Sequence, residues 1–116
     1  MASSILSFLA QGMNLSHQAA DVITNNLANY ETPNFKPQTL SFQQALAAAW
    51  QNGTPVSTVT GTVQTDPGAV RPDGSGVSMT GQMASLMQMQ MLYDTAATGF
   101  TSQATQIRAV AEGQAL

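Results

Sequence analysis

Asn25-Asn26-Leu27-Ala28-Asn29-Tyr30-Glu31-Thr32-Pro33-Asn34-Phe35-Lys36-Pro37 is where a first long helix must stop. Pro33 has no amide hydrogen and disfavours helical geometry at Thr32. Pro37 blocks an early restart. Asn29 or Asn34 can take a positive φ more cheaply than most residues, which suits a helix C-cap or a tight turn. Thr32 and the neighbouring asparagines can bond the amides and carbonyls that a helix end leaves open. Tyr30 and Phe35 have apolar faces to bury beside the turn, and Lys36 is the only lysine.

Upstream, residues 3–28 read as an amphipathic helix capped by Ser3 or Ser4. Ile5, Phe8, Leu9, Leu15, Ala19, Val22, Ile23 and Leu27 recur mostly every three or four residues and make one apolar side. At 1.5 Å per residue this helix is about 40 Å long. Downstream, residues 38–52 predict a short helix capped by Ser41, with Phe42, Leu46 and Trp50 as packing residues. Residues 53–77 hold Gly53, Gly61, Gly68, Gly74 and Gly76 with Pro55, Pro67 and Pro72. Within them 56–60 and 62–65 are either two short strands flanking Gly61, a β-hairpin, or irregular backbone. Asp73-Gly74 marks a turn.

Residues 78–112 predict a second long helix, capped by Ser78 or Thr80 and stopped at Gly113. Leu86, Met89, Tyr93, Ala96, Phe100, Ile107 and Val110 follow an alternating three-four repeat, with Gln103 in the one polar slot, as in a coiled-coil seam. Gly99 is a weak point inside it. Met79, Met83, Met87 and Met91 form a second row beside the seam, so the apolar arc can meet more than one partner. The fold class that follows is mainly α. Long terminal helices pair as a coiled coil, with a short helix and a Gly/Pro-rich middle between them. The divisions are 1–37, 38–77 and 78–116, one structural domain in all.

Composition narrows the function. Charged residues are 8% of 116, against about 25% in an ordinary soluble domain. A surface built from Gln, Ser, Thr and Asn repels copies of itself weakly. Three basic residues and a net charge of −3 leave no footprint for nucleic acid and no polybasic membrane anchor. The absence of cysteine removes disulfides and thiol chemistry. The first residues lack the basic and apolar regions of a cleaved secretory signal, and no run is long enough to span a bilayer. His17 is the only histidine, with Asp21 one turn away as a surface partner. The six carboxylates are scattered, and residues 68–76 lack the Lys-Ser/Thr of a phosphate loop. No catalytic set, metal site or cofactor site emerges. Two helices that outrun the middle instead predict lateral stacking of subunits.

Asn-Asn-Leu-Ala-Asn-x-x-Thr-Pro-Asn-Phe-Lys, following a long helix, resembles the N-terminal signature of bacterial flagellar rod and hook proteins. That family usually has Gly at Asn34 and Tyr at Phe35. Phe42 with Leu46, the short middle, and Leu92-Tyr93 with Ala96-Ala97 most resemble its proximal-rod members. The resemblance implies a non-enzymatic structural subunit in the periplasm-spanning rod, delivered by the flagellar exporter without signal cleavage. It implies as partners other rod subunits, the rod-to-ring adaptor, the membrane ring and the export gate. It implies inter-subunit contacts at Asn25, Asn26, Leu27, Asn29, Thr32, Pro33, Phe35 and Lys36. Leu86, Met89, Tyr93, Phe100 and Ile107 make the helix seam. Alternatives are another axial subunit, or a monomeric helical module binding an export substrate.

Overall fold

Helix α1 (Ala2–Ala28) is the spine on which every other element lies. The computed structural model describes residues 2–66, 72, 74 and 76–113. Leu15, Ala19 and Ile23 are buried along one side of α1, at the four-residue spacing that keeps a single helical face. The helix already runs through Ser3 and Ser4, so neither is the expected cap.

After the turn the chain doubles back along α1. β1 (Gln38–Ser41) begins beside Asn26, and Leu40 and Phe42 pack on Leu15 and Ala19. α2 (Gln43–Asn52) continues the same way, until Trp50 meets Phe8 with ring centroids 5.0 Å apart. Trp50 is a packing residue on its Phe8 side and exposed on the other. Ser41 does not cap α2: Phe42 holds the N-cap position without a side-chain bond. The Ser41 hydroxyl is spent across the sheet, on Oε1 of Gln64 at 3.4 Å.

Of the two stretches flanking Gly61, only the second forms a strand. Val56–Thr58 is a 3₁₀ turn, not a strand. The tight winding places Val56 and Val59, three residues apart, on one side, against Leu46, Ala49 and Phe8. Gln11 Nε2 secures the turn by donating to the Val59 carbonyl at 2.6 Å. β2 (Thr62–Thr65) then pairs antiparallel with β1, Leu40 opposite Val63 and Ser41 opposite Thr62. Burial decides the pairing, because β1 is already seated on α1 and offers a bonded edge.

Gly61 fits against the Leu40 side chain, and a Cβ there would lie 2.6 Å from Leu40 Cγ. Gly61→Ala therefore displaces Leu40. Overpacking of this kind costs about 1–3 kcal/mol, readable as a lower urea midpoint at unchanged slope.

Of the loop expected over 53–77, residues 67–71, 73 and 75 lie outside the described residues, and Asp73 of the expected turn with them. α3 (Met79–Ala111) follows for 33 residues, capped as expected by Ser78, whose hydroxyl accepts from the Gly81 amide at 3.2 Å. It ends before Gly113, which has φ 78°. α3 lies antiparallel to α1. Gln82 reaches Asn26, Met89 packs on the Leu15–Ala19 cluster, and Gly99 meets Leu9. Gly99 does not break the helix. A Cβ there would stand 3.4 Å from both methyl groups of Leu9, so the missing side chain brings the helices together. The molecule measures 64 × 25 × 14 Å, the form of a paired-helix rodlet carrying a small side layer.

Candidate subunit-contact surfaces

The turn that ends α1 is held by its own polar residues. The Asn29 amide bonds back to the carbonyls of Asn25 at 3.2 Å and Asn26 at 3.1 Å. Its side chain donates to the Asn25 carbonyl at 2.8 Å and accepts from the Thr32 hydroxyl at 3.1 Å. Asn34 takes the positive φ, at 63°. Outside glycine this backbone costs about 1–2 kcal/mol, least for Asn. Asn34→Ala should accordingly lose about 1 kcal/mol in thermal or urea unfolding, and Asn34→Gly should be nearly neutral. The second loop leans on this turn. The Gly76 amide donates to the Phe35 carbonyl at 2.9 Å, and Gly74, at φ 84°, packs so tightly on Asn34 that any Cβ would collide with its Oδ1.

Asn26 serves inside the subunit. It is 0% exposed. Its Nδ2 donates to the Gln38 carbonyl at 2.7 Å and to Gln82 Oε1 at 2.9 Å, and its Oδ1 accepts from the Gln38 amide at 3.0 Å. The primary amide thus pairs with the Gln38 backbone as a neighbouring strand would, and ties the end of α1 to the starts of β1 and α3. Its surface is wholly consumed within the chain. The turn offers Asn25, Thr32, Pro33 and Lys36 as exposed side chains, with Leu27, Asn29 and Phe35 half-buried.

On α3, Leu86, Met89, Phe100 and Ile107 are half-buried and Ala96 is buried, which makes this the inner side of the helix. Tyr93 stands at the flank, 41% exposed. The methionine row points out: Met79, Met83, Met87 and Met91 are 44%, 53%, 63% and 67% exposed. Met87 lies nine residues from buried Ala96, two and a half turns, which puts it on the opposite side of α3.

Residues 6–36 match the family model for flagella basal body rod protein. The match covers α1 from Leu6 and the turn as far as Lys36, and supports a structural role in the flagellar basal-body rod. No curated protein matches the chain. The matched segment therefore includes both Asn26, which locks the joint, and Asn34, which bends it. The resemblance implies a subunit contact for Asn26; the structure buries it inside the subunit instead. Its signal was present, since Asn26 extends the buried stripe of Leu15, Ala19 and Ile23 by one further turn.

Chemistry is sparse around these surfaces. His17 Nε2 and Asp21 Oδ2 are 3.8 Å apart, with side chains 68% and 71% exposed, a surface contact of little consequence in water. Among the described residues no three His, Cys, Asp or Glu side chains gather to hold a metal ion, and no helix is long and apolar enough to cross a membrane.

Proposed function

We propose that the chain is an axial structural subunit at the proximal end of the flagellar rod, working by rigid packing of copies and neighbours. The observation that carries this reading is a rod-family segment over residues 6–36 joined to a helix whose methionine row has no cover. Exposed apolar surface on this scale marks a place where another molecule binds. The small middle, a two-stranded sheet and a ten-residue helix, suits the proximal position better than the larger inserted domains of distal rod and hook subunits. In the assembly, Asn25, Thr32, Pro33 and Lys36 would meet neighbours. Leu86, Met89, Phe100 and Ile107 would hold each subunit's helix pair together. The partners would be other rod subunits, the rod-to-ring adaptor, the membrane ring and the export gate, with delivery by the flagellar exporter.

Deleting the gene in the source bacterium and isolating its basal bodies tests the reading. Non-motile cells with rodless basal bodies, rescued by the wild-type chain, are expected, and a complete rod without the chain would overturn it. Labelled chain at a higher point on the axis would favour another axial subunit. In vitro, the triple variant Met83→Gln, Met87→Gln, Met91→Gln should weaken self-association in sedimentation by at least about tenfold, or 1.4 kcal/mol. Its melting temperature should match wild type, because all three side chains are exposed.

A further inference from the structure

Alongside α1, a furrow stays open between α2 and α3. Phe8, Leu9 and Gly12 form its floor. Leu46 and Ala47 stand on one wall, Leu92 and Ala96 on the other. Its volume is about 300 Å³, and Gln43 and Thr95 are its only polar side chains. The geometry points to a second copy of this chain as the occupant, with Met87 and Met91 of its α3 seated in the furrow. This inference rests on the proposed assembly of the chain with itself, and names the faces that meet.

Three observations on the molecule favour that occupant. The lengths agree: the floor runs from residue 8 to 12 and the α3 wall from 92 to 96, each about 6 Å, which is the spacing of successive members of the methionine row. The chemistry agrees: an unbranched thioether conforms to an irregular apolar slot, and Met87 and Met91 are the most exposed of the row. The charges do not oppose it, since 8% charged residues leave little repulsion between copies. Met87 lies on the opposite side of α3 from Ala96 of the furrow wall, so a molecule cannot seat its own Met87 in its own furrow. Such a contact is heterologous and continues from copy to copy without closing.

Two exposed substitutions separate the faces. Met87→Glu spoils the row and keeps the furrow; Ala47→Trp fills the furrow and keeps the row. Neither side chain is buried, so both variants should melt with wild type. In sedimentation, wild type should form a concentration-dependent series, and each variant alone should stay monomeric. An equal mixture should give dimers and nothing larger, because one good row then meets one good furrow. Wild type that stays monomeric at every concentration would overturn the assembly reading and this inference together. Wild type that assembles while Ala47→Trp assembles equally well would overturn the furrow alone, as would a mixture that stays monomeric.

Discussion

Asn26→Asp should lose about 3–5 kcal/mol of folding stability, the usual consequence of leaving a buried charge uncompensated. The replacement has the same shape. One oxygen can still accept from the Gln38 amide, but the other would face the Gln38 carbonyl where Nδ2 now donates at 2.7 Å. Gln82 can turn its amide to help; a backbone carbonyl in a strand cannot. Asn26→Ala avoids the charge and strands the Gln38 amide and carbonyl, at about 1–3 kcal/mol for each unsatisfied group. Urea unfolding followed by far-ultraviolet dichroism measures both. The control is Asn25→Asp, one residue earlier and exposed, which should change stability by no more than about 0.5 kcal/mol. Equal losses at the two positions would show that Asn26 locks nothing.

Phe42→Ala should lose a similar amount, about 3–5 kcal/mol, by leaving a cavity beneath the sheet. Phe42 is 2% exposed and touches the cluster of Leu15, Ala19 and Leu40, against which Val22, Val59 and Met89 also pack. Those residues come from α1, β1, the segment before β2, and α3, so the ring is the meeting point of the layers. Domains in general hold only about 5–15 kcal/mol in reserve, so this variant should show a sharply lower melting temperature and a raised unfolded fraction at 37 °C. A shift no greater than that of an exposed alanine substitution on α2 would remove Phe42 from the centre of the core.

The long helices were plain in the sequence because periodicity and punctuation agreed. The apolar side of α1 ends at Leu27, just before the turn around Pro33, the α3 cap Ser78 opens its pattern, and Gly113 closes it. The methionine row was plain for the same reason: its spacing leaves it off the seam. The small sheet was not plain. Residues 38–41 carry a single inward apolar side chain, Leu40, and four residues show too little alternation to separate a strand from the lead-in to α2. The partner of β2 depends on which backbone edge α1 brings within reach, a fact of tertiary packing. Local preference across Gly61 therefore lost to burial of Val56 and Val59. Asn26 was misplaced because a polar residue near a helix end suggests solvent, and its burial appears only when β1 and α3 arrive.

The antiparallel lie of α1 and α3 gives the subunit two unlike poles. The Asn/Pro turn and the α3 cap crowd one pole, while the start of α1 and the end of α3 share the other. Any stack of such bodies in a common orientation has a direction, and its two tips can never be interchangeable. Fluorophores at the start of α1 and at the end of α3 would sit at the same tip of the molecule. A stack labelled this way would betray which tip is growing.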